Sequence, residues 1–549
     1  MKKYRNKTAA LALAGLMALF LAACGSSEKN TPEGTHETEA EGGSGDEKIV
    51  NIGVTDSLGG INPLTTDQTW INKYAVGLQF LPLVDLDGEL SFQPMLADSI
   101  TTEDNRNFVV HIDENATWSD GMPVTAEDVE FTFLRLASPV IANPTMVLYA
   151  FEGVGEDGFV EEGATSVDGV RVLDEKTIQF TTKYPMSLTT FQNSYACYLH
   201  TLPKHVIEKF DESQIATQEW FSHPDVVDGP YRVVDLDANH YVSYVANENY
   251  WRGAPKIDRL NFKIVDSSQI LSGLQSGEID VTHHTMTAIP QEDYESIEAL
   301  ENVEVVYGSP ITHQSVFIQT ANLPDVRVRQ ALLCAIDRKQ ILEQLLRNHG
   351  EVVDGFLSSA SPLYDASIQP VVYDPERAKA LLEEAGWDNS QTLVFYVNSG
   401  DGTLVNAAQV MVAQWAAVGI KVEVRTVDLA ALMGVAGSTD YDLMAVQYTY
   451  APVDPYPDIA WLLGGEGSWT GYGNDQVNEA LEGTQAAENV EEIRALYSIV
   501  DRQVQEDVPM FSAYVISAQG AVNKRLSGVN ANVYGFFNNI QEWDVEAGK

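Results

Sequence analysis

One stretch decides how the chain is interpreted: Trp118-Ser119-Asp120-Gly121-Met122-Pro123-Val124-Thr125-Ala126-Glu127-Asp128-Val129. Asp120-Gly121 predicts a tight turn beside an aromatic anchor, Trp118. Thr125 predicts a helix N-cap, because its hydroxyl can accept from the first turn, and Asp128 adds an acidic side chain near the helix N-terminus. We expect this stretch to build the fold rather than to contact a ligand.

Further stretches follow this one in a fixed order along the chain. They are Gly229-Pro230-Tyr231, Asn247 to Trp251, Leu274 to Asp280, Val326 to Ala331 with Ala335 to Arg338, and Ala378 to Trp387. Together they resemble the family 5 extracellular solute-binding proteins, the peptide, nickel and oligosaccharide receptors of ABC importers, from about residue 49 to the C-terminus. The resemblance implies an α/β fold: a periplasmic-binding-protein-like two-lobed clamshell (type II) with an extra subdomain inserted in the first lobe.

The same resemblance predicts where each lobe begins and ends. Lobe I is expected to comprise residues 49–92, 225–308 and 509–549. The inserted subdomain is expected at 93–224, and lobe II at 309–508. We expect a monomer that closes about two chain crossings and presents its closed form to the membrane subunits of a permease, which work with cytoplasmic ATPases.

The N-terminus has the pattern of a secreted protein. Residues 1–23 combine a basic head with a short apolar run, which is typical of a signal peptide. The run ends in Leu21-Ala22-Ala23-Cys24-Gly25, which resembles the bacterial lipobox and implies that Cys24 is lipidated. An ordinary signal peptide with a chance cysteine is the alternative. Residues 24–48 are predicted to be a flexible acidic tether, which places the body on the outer face of the cytoplasmic membrane, the periplasmic side in a Gram-negative cell.

Composition narrows the function classes. The 549 residues include 79 acidic and 33 basic side chains, for a net charge of −46. This balance excludes a nucleic-acid partner and leaves the lipid anchor as the only membrane contact. The cysteines at 24, 197 and 334 are too few for a disulfide scaffold, and we expect Cys197 and Cys334 to be buried free thiols.

Periodicity predicts a mixture of strands and helices. Expected strands are Ile49 to Val54, Phe108 to Ile112, Tyr241 to Val245 and Ile420 to Arg425, and expected helices are Val326 to Arg347, Ala407 to Val418, and one that begins at Asp374-Pro375 and stops at Gly386. Val326 to Arg347 is interpreted as one long amphipathic helix. Its Arg329 and Asp337 are expected to form an ion-pair lattice rather than a site.

Signals for catalysis, metal or cofactor are weak. Residues 153–158 match a dinucleotide-binding glycine pattern, but the acidic side chains around them would repel a pyrophosphate, and we interpret them as an acidic loop. His283-His284 has no partners at metal-ligand spacing. Residues 235–246 begin like a calcium loop but lack its turn glycine and its final glutamate. We expect no enzyme activity, no metal and no cofactor.

The resemblance places three ligand-binding segments at strand ends that face the cleft between the lobes. The candidate residues are Asp67, Gln68, Thr69 and Trp70 in the first segment, Asn398 and Ser399 in the second, and Tyr448, Thr449, Tyr450 and Asp454 in the third, with Trp469 and Tyr472 nearby. Packing within the lobe is an equal alternative for Trp469 and Tyr472. Asp458 is expected to cap a loop rather than to contact the ligand.

The segments depart from the pattern of peptide receptors at both charge anchors. The aspartate that pairs with a peptide ammonium group in those receptors corresponds to Ala451, and their carboxylate-binding arginine corresponds to about Asn398. Asp454 remains as a carboxylate that could meet an amine. Tyr448 and Tyr450 offer flat faces and hydroxyls that suit peptide backbone or sugar rings.

These observations leave several functions open. The leading hypothesis is a receptor that captures an oligopeptide for an ABC importer. The same transport role for an oligosaccharide or another non-peptide solute is a serious rival, because both anchors of a short free peptide are missing. A ligand sensor on the same scaffold stays open, whereas a secreted hydrolase lacks a readable nucleophile or metal site.

Overall fold

The computed structural model describes residues 47–545, except residues 68, 145, 147, 401, 466 and 488. The predicted signal peptide, Cys24 and nearly all of the tether lie outside the described residues. Glu47 onwards belongs to one compact unit. Within the described ranges, no helix is both long and apolar enough to cross a membrane.

The first lobe is built on a seven-stranded sheet, here called the first sheet. Its strands, in spatial order, are Val303–Tyr307, Gln519–Asn523, Val281–Thr282, Ile49–Val54, Arg259–Ile264, Tyr241–Ala246 and Tyr231–Asp237. Ile49–Val54 runs parallel to both of its neighbours, and its apolar side chains are buried, as expected of a central strand. The helices Trp70–Gly77, Ile270–Ser276 and Tyr294–Glu298 belong to this lobe.

The inserted subdomain has its own four-stranded antiparallel sheet, here called the third sheet. Its strands are Ala97–Thr102, Asn107–Ile112, Thr177–Thr181 and Val170–Val172, and the helices of this region are Ala126–Leu136, Leu188–Phe191, Lys204–Ile207 and Glu212–Ile215. The backbone N–H of Thr125 donates to Asp128 at 2.8 Å, and Trp118 is fully buried. The predicted capped helix is confirmed, and its stretch has the structural role expected of it.

The second lobe is built on a six-stranded sheet, here called the second sheet. Its order is Gly350–Glu351, Met510–Ile516, Thr312–Ile318, Leu443–Thr449, Thr392–Asn398 and Lys421–Val427, and its helices are Val326–Cys334, Arg338–Leu346, Pro375–Ala385, Gly402–Ala417, Leu429–Val435, Tyr456–Leu462, Asp475–Thr484 and Val490–Asp507. Two small hairpin-like pairs, Val84–Leu86 with Phe92–Pro94 and Leu526–Ser527 with Asp544–Val545, complete the strands.

Sheet membership differs from the predicted boundary at residues 508/509. Met510–Ile516 pairs with Thr312–Ile318 and therefore belongs to the second sheet, although residues 509–549 were expected in lobe I. The chain crosses between the sheets after Tyr307 and again after Ile516. The two crossings are joined where the Gly308 N–H donates to the Ala518 carbonyl at 2.9 Å. The other predicted boundaries of the lobes and of the inserted subdomain stay predictions.

The single helix predicted from Val326 to Arg347 is wrong, because two shorter helices replace it. Val326–Cys334 ends first, and Arg338–Leu346 begins after Asp337, whose side chain accepts from the Gln340 N–H and caps the second helix. The predicted ion-pair lattice is also wrong. The Arg329 guanidinium donates to the carbonyl oxygens of Leu323, Pro324 and Asp507 instead.

Other local predictions agree with the structure. Asp374 caps Pro375–Ala385 by accepting from the Arg377 N–H, and Gly386 ends that helix with φ of 68°. Gly402–Ala417 begins earlier than the predicted Ala407. The thiols of Cys197 and Cys334 are buried and free, as predicted.

Candidate ligand-binding site

The loop of the first predicted segment is held by its own side chains. The Asp67 Oδ1 accepts from the Thr69 N–H at 3.0 Å and from the Asn72 side-chain amide at 2.6 Å. Thr69 precedes the helix Trp70–Gly77 in an extended conformation. Gln68 lies outside the described residues. The carboxylate of Asp67 therefore orders the loop that leads to Trp70.

A buried ion pair, which sequence reasoning missed, supports Trp70. The Lys73 Nζ lies 2.7 Å from Asp85, and both side chains are less than a tenth exposed. The same Nζ lies 5.8 Å from the Trp70 ring centroid and 5.2 Å from that of Tyr198. A lysine inside the mostly apolar helix Trp70–Gly77 was the available signal, because a buried charge requires a partner.

A cavity lies behind the Asp67 loop, between that loop and the inserted subdomain. Its polar lining includes Thr66, Asp67, Lys73, Tyr198 and His200. His200 Nδ1 hydrogen-bonds with the Phe80 carbonyl at 2.7 Å, and burial lowers the pKa of its imidazole to about 4. His200 is therefore neutral at physiological pH. Lys73 is then the one cation among the described residues that line this cavity.

Tyr448 and Asp458 form the edge of the second lobe that faces the first. Tyr448 lies on the strand Leu443–Thr449, one residue from the strand end that pairs with Thr312 just after the first crossing. Its hydroxyl donates to the Asp458 Oδ1 at 2.7 Å. The backbone N–H of Ala451 faces the Asp458 carboxylate and acts to lower its pKa, as expected of a residue that caps this loop. Burial raises the pKa of Asp458.

Asp454 lies at the contact between the lobes. Its side chain is 4% exposed, its Oδ1 accepts weakly from the Tyr456 N–H at 3.4 Å, and its Oδ2 has no hydrogen-bond partner within the described part of the chain. Burial raises the pKa of this carboxyl to about 6, and the nearby Asp458 acts in the same direction. The hydroxyls of Thr190 and Tyr497 face the carboxylate.

Thr190 is in the inserted subdomain, so Asp454 is covered by the opposite lobe. The Thr190 hydroxyl lies 3.1 Å from the Gln485 side-chain oxygen of the second lobe. Tyr198, also in the inserted subdomain, lies close enough to Asp458 for that carboxylate to raise its pKa, although burial raises it more. Asp454 and Asp458, here called the acidic pair, therefore form a negative wall that Thr190 and Tyr198 face.

The second predicted segment reaches the same edge of the second sheet. Thr392–Asn398 runs parallel to Leu443–Thr449, so their carboxyl ends lie together. Asn398 Oδ1 accepts from the Gly400 N–H at 3.1 Å, and the Ser399 N–H donates to the Val427 carbonyl at 2.7 Å. The pairing of Val397 with Ala445 places Asn398 level with Val446, two residues before Tyr448 on the neighbouring strand.

The predicted aromatic residues separate into two groups. Tyr450 is 2% exposed and stacks on Tyr448 with ring centroids 4.7 Å apart, so it supports that ring from inside the lobe. Trp469 packs edge-on against Phe317 at 5.1 Å. Tyr472 donates to Asp507 at 2.6 Å, at the far end of the lobe from Tyr448. Packing within the lobe accounts for Tyr472, whereas Trp469 also lies edge-on against Tyr448, with ring centroids 6.0 Å apart, and stays a candidate at the binding edge.

The two lobes contribute different charged groups to the cleft. The second lobe contributes the acidic pair, and the first contributes Asp67 and a lysine already paired with Asp85. Partly desolvated carboxylates bounded by tyrosine rings and hydroxyls favour an ammonium group or another cation. Among the described residues, no group of three or more histidine, cysteine, aspartate or glutamate side chains is placed to hold a metal ion.

Comparisons with known proteins agree with this architecture. Residues 91–470 match the middle region of the bacterial extracellular solute-binding proteins, family 5. The oligopeptide-binding protein AppA of Bacillus subtilis is 24% identical over 98% of this chain and 99% of its own, and a putative ABC transporter peptide-binding protein of Brucella ovis is 29% identical over 69% and 68%.

Solved structures share the fold. The ABC transporter substrate-binding protein CtaP of Listeria monocytogenes has a TM-score of 0.79 at 22% identity and covers 91% of this chain and 100% of its own. The Bacillus subtilis AppA structure, in complex with a nonapeptide, has a TM-score of 0.69 at 22% identity and covers 91% and 99%. These likenesses confirm the predicted two-lobed fold.

Proposed function

Because this chain belongs to the bacterial extracellular solute-binding proteins of family 5, we propose that it captures an oligopeptide between its two lobes and delivers it to an ABC importer permease. The family consists of solute-binding proteins that act outside the cytoplasm. Relatives across nearly the whole length and across two thirds of it carry peptide-binding names, which supports a peptide as the solute. The observation that carries the proposal is the acidic pair in the contact between the lobes, where a peptide amine fits.

We assign the amine end of the ligand to the acidic pair. Asp454 keeps one carboxylate oxygen without a hydrogen-bond partner in the described chain, and Asp458 is oriented by the Tyr448 hydroxyl. A charge-assisted hydrogen bond to either carboxylate would compensate the desolvation that raises the pKa of both groups. Asp458 thereby supplies negative charge beside Ala451, where peptide receptors carry an aspartate.

The rest of the ligand would lie along the edge of the second sheet. Asn398, Ser399 and Thr449 offer short polar groups there, and the Tyr448 ring offers a flat face. The ordered loop at Asp67, Thr69 and Trp70 would face the ligand from the first lobe. Because Asn398 replaces the expected arginine, we propose that the carboxylate end is not gripped by a bidentate pair, which suits peptides of varied length.

The location follows from the N-terminal sequence. We propose that residues 1–23 are removed, that Cys24 carries the lipid anchor, and that residues 24–48 tether a monomeric receptor to the outer face of the cytoplasmic membrane. Metabolic labelling with a fatty-acid analogue tests this directly. Labelled wild-type protein and unlabelled Cys24→Ser protein are expected, and equal labelling would contradict the anchor.

An oligosaccharide is the second candidate solute. The observation in its favour is the stacked pair Tyr448 and Tyr450, whose outer face suits a sugar ring, together with the missing arginine at Asn398. A sugar has no cation for the acidic pair, so this candidate leaves Asp454 uncompensated. We therefore rank the peptide first. We propose no catalytic activity for this chain.

Thermal-shift screening separates the two solutes. The ligand-free full-length chain is mixed with pools of synthetic peptides, the same peptides acetylated at the N-terminus, and oligosaccharides. A rise in melting temperature with free-amine peptides, and a smaller one after acetylation, is expected. The Asp454→Asn protein is screened in the same way. Glu304→Gln, a substitution at an exposed position of an edge strand, is its control. A rise with glycans alone would overturn the peptide proposal.

A further inference from the structure

Asp454 is buried by two surfaces that move apart when the lobes open. On its own lobe it follows Val453 and precedes the helix Tyr456–Leu462. From the opposite lobe the segment around Thr190 covers it, and Thr190 also reaches Gln485 at 3.1 Å. Opening the lobes would remove Thr190 and expose the carboxylate to water.

The described groups around Asp454 offer no positive charge. The titratable neighbours are Asp458 and Tyr456 on the following helix and Tyr497 on the helix Val490–Asp507. Thr190 from the inserted subdomain is neutral. The described structure pairs no lysine or arginine with this carboxylate, and one of its oxygens has no hydrogen-bond partner.

An ionised carboxylate in such a place opposes closure. In the open form water solvates the charge, whereas in the closed form only neutral hydroxyls and a second carboxylate face it. A proton on Asp454 therefore favours closure of the empty receptor. A positive group of the ligand that reaches the same oxygen favours closure in the same way, because only a difference in interaction between the two states shifts their populations.

We propose that closure of the two lobes is gated by positive charge at Asp454, supplied by a proton in the empty receptor and by an ammonium or guanidinium group of the ligand at neutral pH. This rests on the proposed capture between the lobes and adds its regulation. The gate keeps the empty receptor open outside the cell at neutral pH. It also disfavours the fully closed state around solutes without a cation.

Distances between spin labels test the gate in the ligand-free chain. One label is placed at Glu162→Cys in the inserted subdomain and the other at Glu479→Cys in the second lobe, both at exposed positions. The samples are the full-length chain in detergent, with Cys24→Ser to remove that thiol. The buried Cys197 and Cys334 react slowly with the spin label, because burial raises the pKa of their thiols to about 12 and about 11.

The gate predicts a distinct pattern across pH. In the parent chain the population at the short distance should increase at least threefold between pH 8 and pH 5, while Asp454→Asn should show the pH 5 pattern at both. Glu304→Gln should follow the parent. A pH-independent distance in the parent chain, or the same pH response in Asp454→Asn and Asp454→Ser as in the parent, would overturn the gate.

Added ligands test separately whether a positive group of the solute promotes closure. At pH 8 a free-amine peptide should increase the short-distance population, and its N-acetylated form should not. If neither form binds, the peptide proposal fails while the ligand-free measurement still decides the gate. If the acetylated peptide binds and closes the lobes equally, the requirement for a ligand cation is wrong.

Discussion

Replacing Asp501 by asparagine should stabilise the protein, and by an amount that depends on pH. Asp501 lies on the helix Val490–Asp507 behind the binding edge, is 6% exposed, and accepts only a long hydrogen bond from the Phe356 N–H at 3.4 Å. Burial raises the pKa of its carboxyl to about 7, and the neighbouring Asp365 and Asp354 act in the same direction. An asparagine keeps the accepting oxygen and removes the charge.

The magnitude follows from the two pKa values of this carboxyl. In the unfolded chain it ionises above about 3.8, whereas in the folded protein it ionises only above about 7. The free-energy cost of keeping this carboxylate ionised in the folded protein therefore grows as pH rises from about 3.8 to about 7, and it reaches its full value above pH 7. A difference of about three pKa units corresponds to about 4 kcal/mol. Asp501→Asn should raise the free energy of unfolding by up to about 4 kcal/mol at pH 8 and by less than about 1 kcal/mol at pH 4.

Urea unfolding at pH 4, 6 and 8 measures this difference, provided that the dependence on urea is the same for both proteins. Asp365→Asn is the matched control, because hydrogen bonds led by that from Ser367 lower the pKa of Asp365 to about 2. That substitution should destabilise the protein at neutral pH. An Asp501→Asn protein that is no more stable than wild type at pH 8, or a gain that does not change with pH, would refute the reasoning.

Other substitutions probe the core, the hinge and the binding edge. Arg338→Met should lower the free energy of unfolding by about 3–5 kcal/mol in urea, because it leaves Asp354 as a buried unpaired charge; an effect below about 1 kcal/mol would contradict this. Gly308→Val should lower the melting temperature by several degrees, since even a Cβ there would lie 2.6 Å from a Val533 methyl; an unchanged melting temperature would show that the crossing relaxes freely. Tyr448→Phe should weaken binding of free-amine peptides about tenfold in calorimetry, because the Asp458 carboxylate loses the hydrogen bond from the Tyr448 hydroxyl. Equal affinities would show that Tyr448 does not contribute to the binding site.

Local signals in the sequence predicted much of the fold. The capping pair Thr125 and Asp128, and the start of a helix at Asp374-Pro375, involve residues at most three positions apart, so sequence reasoning recognised both. The break after Cys334 was missed because the apolar periodicity continues through it. Asp337 caps the second helix instead of facing a cation.

Long-range pairing explains what was missed in the candidate site. The partner of Lys73 is Asp85, and their contact depends on how the helix Trp70–Gly77 packs, which no spacing in the sequence reveals. The sequence favours the cleft for Tyr448 but leaves Tyr472 open between the cleft and packing within the lobe. They separate because Tyr448 lies near the strand end at the crossing, whereas Tyr472 lies beside Asp507 at the other end of the lobe.

Capture of a peptide between the lobes is tested most directly by native mass spectrometry of the refolded, ligand-free chain. The chain is offered an equimolar mixture of free-amine peptides, their N-acetylated forms and oligosaccharides at pH 8. We expect one free-amine peptide bound per chain, with at least tenfold less of any acetylated peptide, and loss of this preference in Asp454→Asn. A bound oligosaccharide with no bound peptide, or equal binding of free and acetylated peptides, would contradict it.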